Sequence, residues 1–439
     1  MPSTALLTDQ YELTMVQAAL RNGTARRRCV FEVFARRLPP GRRYGVVAGT
    51  ARLLDAMTAF TFGEEELASL AERRVVDRET LDWLADYRFG GDVSGYPEGE
   101  CFFPGSPVLV VEAPFAEAVL LETLALSILN HDCAVASAAS RMVSAAHGRP
   151  CLEMGARRTH EEAAVAASRA AYLAGFSATS NLEAGRRHGV PTIGTAAHAF
   201  TLLHDDERAA FAAQVAALGT GTTLLVDTYD VPTGVATAVE VAGPSLGAVR
   251  LDSGDLLEQA LAVRTQLDGL GARDTRIVVT SDLDEHAIAA LASAPVDAYG
   301  VGTSLVTGSG APTANLVYKL VAREAADGSM VGVAKRSHDK PTIAGRKDAL
   351  RRYRPDGTAE AEVLRLTATA AAGTGERRLL HPLLRRGEPV GTDGLVEARA
   401  RHAASLAELP ATARQLSRGE PAIPTVVEHA PAPGGRMAG

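Results

Sequence analysis

Residues 222–230 read TTLLVDTYD, 248–255 AVRLDSGD, 276–284 RIVVTSDLD and 296–304 VDAYGVGTS. Each is a short apolar run that ends in acids, hydroxyls or glycine. Runs of this length without polar alternation suit strands covered on both faces, as in a parallel sheet. Three similar runs precede them: CLEMGARR at 151–158, GFSATSN at 175–181 and VPTIGTAAH at 190–198. Between the runs lie segments such as 160–174, HEEAAVAASRAAYLA, and 256–270, LLEQALAVRTQLDGL, apolar on one helical face and charged on the other. Seven βα units in about 170 residues predict a closed or nearly closed barrel rather than an open sheet.

Outside this stretch the texture changes. Residues 1–130 mix a strand signal at 30–38, VFEVFARRL, with helical spacing at 64–74 and 79–87. A long helical stretch covers 118–146. Beyond residue 320 the rhythm stops, and DALRRYRPDGTAEAEVLRL at 348–366 reads as two antiparallel strands split by a PDG turn. The expected fold class is α/β: an irregular, TIM-like βα barrel over 131–325 beside a discontinuous α/β sandwich formed by 1–130 with 326–420. Residues 421–439, rich in Pro, Gly and Ala, are expected to form a flexible tail.

The 439 residues are 46% hydrophobic and 22% charged, which fits a globular chain with a sizeable core and excludes wholesale disorder. A formal net charge of −7 argues against nucleic acid or an anionic membrane as the main partner. Cys29, Cys101, Cys133 and Cys151 lie far apart with no C-x-x-C spacing, so neither a zinc site nor a disulfide framework is expected. The first fifteen residues, MPSTALLTDQYELTM, lack the apolar core of a signal peptide. No uncharged apolar run reaches about 18 residues, so no transmembrane helix is expected and a cytoplasmic location follows.

In a parallel βα barrel the ligand site lies at the carboxyl ends of the strands. Those ends carry Glu153, Arg157, Ser180, Asn181, His198, Asp227, Asp230, Arg250, Asp252, Asp255, Asp282 and Thr303. Polar residues end strands anyway, as caps and loop formers, yet this set gathers acids, arginines and a histidine on one rim. Arg250-Leu-Asp252-Ser-Gly-Asp255 joins a cation to two carboxylates, which could hold Mg²⁺ through water or stabilise a carbocation-like sugar. An Asx-turn with a helix N-cap is the structural alternative for one of the two aspartates. His198 has small neighbours that leave its ring open, and imidazole is a nucleophile near neutral pH. Gly300 and Gly302, ahead of Thr303, would let backbone amides approach a phosphate, although a plain tight turn reads the same way.

With these residues in view, the chain resembles the nicotinate phosphoribosyltransferase family in its actinobacterial form. The resemblance runs from LLTDQYELTM at 6–15 through FEVFARRLP, LLETLALSILNHD, EMGARR, SNLEAGRRHGVPTIGTAAHAF, LVDTYD, VRLDSGDL, VVTSDLDE and YGVGTSLVTG to KRSHDKPTIAGRK at 335–347. It implies synthesis of nicotinate mononucleotide from nicotinate and phosphoribosyl pyrophosphate, with Mg²⁺ as cofactor and ATP as co-substrate. His198 matches the histidine that ATP phosphorylates. Tyr11, Thr195, Arg250 and Arg157 match positions around nicotinate, with Met154 where a ring-stacking phenylalanine is usual. Ser180 stands where nicotinamide-using relatives carry an aspartate, which would repel a carboxylate. Gly300, Gly302, Thr303 and Asp282 match the phosphoribosyl side. Asp252 and Asp255 are catalytic and metal candidates, with Asp282 a third acid for the sugar or the metal shell. A homodimer with shared sites is also implied, Tyr11 reaching in from the second subunit. The basic residue that usually follows the NHD segment is missing until Arg141.

Two other classes use a similar rim. A sugar-phosphate aldolase or lyase would often need a Schiff-base lysine, and the barrel segment before Lys319 contains none. A non-catalytic binding protein would have no need of His198, Arg250, Asp252 and Asp255 together.

Overall fold

The computed structural model describes residues 3–335, 342–366, 372–391 and 393–428. The chain divides into two compact units, Met1–Ala134 with Thr313–Gly439, and Val135–Pro312. The helix Glu122–Ala145 carries the chain from the first into the second.

The unit Val135–Pro312 is built on a six-stranded sheet. Its spatial order is Ala178–Thr179, Cys151–Glu153, Ala298–Val301, Arg276–Val279, Ala248–Leu251 and Thr223–Leu225, all parallel. Leu224, Val249, Leu251, Ile277, Val279, Tyr299 and Val301 are buried, which is why these runs are apolar without alternation. Helices follow the strands as the rhythm predicts, among them Glu161–Leu173, Glu207–Leu218, Val231–Ala242 and Leu256–Gly269. The seventh expected strand, VPTIGT, is reduced to a single parallel bridge between Thr179 and Thr192. Pro191 has no N–H to give, so a regular ladder cannot continue there. The strand ladder is therefore open between this bridge and Thr223–Leu225 among the described residues.

The discontinuous unit carries a seven-stranded antiparallel sheet centred on Arg28–Ala35 and Leu109–Pro114, plus a four-stranded sheet containing Asp348–Tyr353 and Ala359–Arg365. Two expected boundaries are corrected here. The βα unit ends at Pro312 and not at 325, because Leu316–Glu324 pairs antiparallel with Arg28–Ala35. Asn130 fixes this junction, its side chain donating to Leu316 O (3.2 Å) and accepting from Leu316 N (2.9 Å). The expected flexible tail begins too early: Thr425–Glu428 is a strand parallel to Ala359–Arg365, and Glu428 pairs with Arg352 and Arg365. Residues 429–439 lie outside the described residues, as does 336–341 of the KRSHDK segment.

One helical run, Phe115–Ala145, is long and apolar enough to cross a membrane by length and composition, where none was expected. Its most apolar window is 61% buried inside the protein, as in a core helix. Arg141, near its end, forms a buried ion pair with Glu285 (Nε to Oε1, 3.0 Å).

Candidate active site

The carboxyl ends of the parallel strands bring most of the expected site residues to one rim. Leu225 pairs in register with Arg250, so Asp227 and Asp252, each two residues further on, stand side by side. Asp227 Oδ2 accepts from Asp252 N (3.0 Å) and Ser253 Oγ (2.8 Å). Its Oδ1 is buried and has no hydrogen-bond partner among the described residues. Asp252 Oδ1 takes the hydroxyl of Thr280, from the next strand end.

His198 opens the short helix His198–Leu202 and faces this pair. Its Nε2 lies 3.9 Å from Asp227 Oδ1 and 3.8 Å from Asp252 Oδ2, while Nδ1 is 3.2 Å from Thr228 Oγ1. The side chain is 40% exposed, so the ring is anchored and still reachable. Two carboxylates beside Nε2 favour a proton there, which leaves the Nδ1 lone pair to accept from the Thr228 hydroxyl.

Arg250 donates from Nη1 to Thr195 Oγ1 (3.2 Å), whereas its Nε is buried without a partner among the described residues. Burial pulls the guanidinium below its ordinary pKa; Asp252 and Asp227 oppose that, and Arg157 adds to it. A guanidinium stays charged regardless, so Arg250 and Arg157 make a cationic spot with unused donors, suited to a carboxylate or phosphate.

Met154 donates its N–H to Val301 O (2.8 Å), fixing it beside the neighbouring strand. A Cβ on Gly300 would lie 2.8 Å from the Met154 sulfur and 2.5 Å from Thr280 Cγ2. Gly300 is thus required by packing within its strand, a reason different from the phosphate loop expected for it. Gly302 has ordinary space around it and precedes the exposed Thr303. Asp282 is exposed and follows Ser281, whose φ of 132° is a left-handed conformation that L side chains rarely adopt.

The remaining residues sit differently. Asp255 is the N-cap of Leu256–Gly269, one oxygen accepting from Leu257 N and Glu258 N (3.1 Å each). That is the capping alternative raised for one of the two aspartates. Ser180 is exposed and held by its backbone, N to Glu153 O at 2.8 Å. Tyr11 belongs to the other unit, in the helix Gln10–Arg21; it is 45% exposed, and its phenol is pushed up to about 12, chiefly by burial, with Glu122, Glu12 and Asp9 adding to it. Asp227 was readable as a rim residue but not as a partner of His198. The signal was its strand register with Asp252.

Among the described residues no cluster of three or more His, Cys, Asp or Glu side chains has the geometry to hold a metal ion. The oxygen donors do fit Mg²⁺, which binds through one or two carboxylates and keeps several waters. Asp227 Oδ1 is an orphaned buried acceptor, and Asp252 Oδ2 is beside it.

A histidine with an open ring, two carboxylates and two arginines on a parallel rim define a group-transfer enzyme for an anionic substrate on an α/β scaffold. Residues 6–130 match the model of the nicotinate phosphoribosyltransferase N-terminal domain. The chain is 60% identical over 429 residues to nicotinate phosphoribosyltransferase pncB1 of Mycobacterium tuberculosis, covering 96% of this chain and 94% of that protein. It is 38% identical over 360 residues to the Bacillus subtilis nicotinate phosphoribosyltransferase, covering 80% and 73%. The crystal structure of the human nicotinic acid phosphoribosyltransferase superposes with a TM-score of 0.81 at 28% identity, covering 96% of this chain and 97% of that one. The chain belongs to the nicotinate phosphoribosyltransferase family.

Proposed function

We propose that this enzyme of NAD salvage joins nicotinate to phosphoribosyl pyrophosphate, releasing nicotinate mononucleotide and pyrophosphate, with ATP hydrolysis coupled through phosphorylation of His198. The observation that carries the coupled step is the ring of His198, held at Nδ1 by Thr228 and flanked at Nε2 by Asp227 and Asp252. In that tautomer Nδ1 is the phosphoryl acceptor, once the Thr228 hydroxyl turns aside. The two carboxylates stabilise the positive charge that the ring gains when Nδ1 takes the phosphoryl group from ATP and ADP leaves.

Arg250, with its unused Nε, and Arg157 would bind the nicotinate carboxylate, while the uncharged Ser180 leaves that carboxylate unopposed. Met154 would pack against the pyridine ring, and Thr195 would orient Arg250. Thr303, Gly302 and Asp282 would receive the phosphoribosyl group. Mg²⁺, when bound, would neutralise the departing pyrophosphate, and Asp252 with Asp227 would hold it through its waters. Asp255 spends one oxygen on its helix cap, which favours Asp252 over it as the acid nearest the chemistry. The reading includes an open βα barrel, a cytoplasmic enzyme, and a homodimer in which the exposed Tyr11 enters the partner's site. The four cysteines are free and buried, which suits a reducing compartment.

The test is turnover with nicotinate, phosphoribosyl pyrophosphate and Mg²⁺, with and without ATP, for wild type and His198→Ala. Wild type should make nicotinate mononucleotide faster with ATP. The variant should lose ATP hydrolysis but keep a slow ATP-independent synthesis. Undiminished ATP stimulation in His198→Ala would sink the phosphohistidine step.

A further inference from the structure

Between the two turns that carry Met154, Arg157 and Ser180 a buried carboxylate has no role assigned above. Glu153, the last residue of Cys151–Glu153, is 1% exposed. Its Oε1 accepts from Gly155 N (2.5 Å), and its Oε2 accepts from Ser168 Oγ (2.9 Å) and from the Thr179 hydroxyl. All three donors are uncharged groups. Burying a carboxylate among amides and hydroxyls is a weak way to stabilise a fold and a strong way to fix the geometry of its donors.

Two of those donors belong to the two turns that carry the expected nicotinate-binding residues. On one side, capture of the Gly155 amide closes a tight turn around Met154 and aims the following 3-10 turn, Ala156–Arg158, which carries Arg157. Gly155 must be glycine, since a Cβ there would come within 2.4 Å of Val306 and 2.9 Å of Gly302 O. On the other side, Thr179 Oγ1 accepts from Asn181 N (2.9 Å), and Glu153 O accepts from Ser180 N (2.8 Å). Ser168 braces the carboxylate from the helix Glu161–Leu173.

We propose that Glu153 is a positioning residue that sets nicotinate affinity. It clamps the Met154–Arg157 turn to the Thr179–Ser180–Asn181 turn, so that the ring-packing, cationic and uncharged groups face one ligand at a fixed spacing. This rests on the nicotinate reading of the site.

Gln at this position keeps the volume but puts an amide NH2, which only donates, where one carboxylate oxygen accepts, so Ser168 and Thr179 would have to turn their hydroxyls away and the clamp would lose its charge. Steady-state kinetics of Glu153→Gln and Thr179→Val test the idea, with Thr179→Ser as the hydroxyl-retaining control. Glu153→Gln and Thr179→Val should each raise KM for nicotinate about tenfold, the scale of one or two lost charge-assisted hydrogen bonds. KM for phosphoribosyl pyrophosphate should stay within about twofold and kcat within about threefold, and Thr179→Ser should restore the wild-type value. If Glu153→Gln does not fold, Thr179→Val decides. Nicotinate KM within about twofold of wild type in the folded variants overturns the proposal, as does an equal rise in both KM values. A wild-type protein that makes no nicotinate mononucleotide would instead overturn the underlying reading of the site.

Discussion

Glu207→Gln should stabilise the protein above pH 6 and make little difference below about pH 4.5. Glu207 is the first residue of Glu207–Leu218, 9% exposed, with Oε1 buried and unpartnered among the described residues. The helix Val231–Ala242 is pressed against it: a Cβ on Gly234 would sit 2.4 Å from Val226 O and 3.3 Å from Glu207 Oε2. Burial, helped by Asp230 and then Asp227, pushes the carboxyl up from 4.5 to about 6. That shift of roughly 1.5 units, at about 1.36 kcal/mol each, sets a ceiling near 2 kcal/mol. The sign follows from the direction. A folded-state pKa raised above the unfolded one makes the stabilising contribution complete below about pH 4.5, and it is lost as pH rises through about 6. Glutamine mimics the neutral form at every pH. At pH 7.5 the variant should therefore melt up to about 4–8 °C above wild type, at roughly 2–4 °C per kcal/mol for a unit of this size. At pH 4.5 the two should melt together. Parallel thermal scans across pH 4.5–8 measure the difference, in which all other titrations cancel. A gap independent of pH, or a wild type more stable at pH 7.5, refutes the buried-carboxyl argument.

Two further substitutions probe the rim. Ser180→Asp should lower kcat/KM for nicotinate relative to nicotinamide by about tenfold or more, since facing carboxylates cost on the order of 1–3 kcal/mol; a ratio within about twofold of wild type would mean that position 180 does not face the carboxyl group. Ser281→Gly should raise the melting temperature, because relief of about 1–3 kcal/mol of backbone strain exceeds the 0.5–1 kcal/mol entropic cost of glycine. It should also raise KM for phosphoribosyl pyrophosphate as Asp282 loses its fixed orientation, and a lower melting temperature would show that Ser281 is not strained.

The βα rhythm was legible because the strands are apolar runs stopped by acids, hydroxyls or glycine, a pattern with few other readings. VPTIGT deceived because its composition is strand-like while Pro191 withholds a ladder donor. The junction at Pro312 was hidden for the opposite reason: Leu316–Glu324 reads as a strand wherever it pairs, and only its partner Arg28–Ala35, nearly 300 residues away, assigns it. Likewise Thr425–Glu428 lies among prolines and glycines, and its place is set by Arg352 and Arg365 from another strand pair. Gly300 matched a phosphate-loop pattern, yet the atoms that crowd a side chain there are Thr280 Cγ2 and the sulfur of Met154. Local pattern thus identified elements, whereas pairing and close packing, which act across long sequence separations, assigned their roles.

The acids show the same division at finer scale. Two strand-to-helix connections share the spacing D-x-x-D, Asp227-Thr-Tyr-Asp230 and Asp252-Ser-Gly-Asp255. In both, the second aspartate caps the following helix: Asp230 accepts from Thr233 N, and Asp255 from Leu257 N and Glu258 N. In both, the first aspartate stands within 4 Å of His198. The geometry explains the split. The residue just before a helix must face its amides, and the one three places earlier, still at the strand end, points over the sheet rim. The next connection, Ser281-Asp282-Leu283-Asp284, is one residue shorter between its acids, with Asp284 again the cap. Its chain must turn more sharply to reach that cap, and the residue ahead of its first acid, Ser281, is the one with φ of 132°. Asp282 makes no ion pair with His198 among the described residues, which suits a ligand group other than the one that meets the histidine.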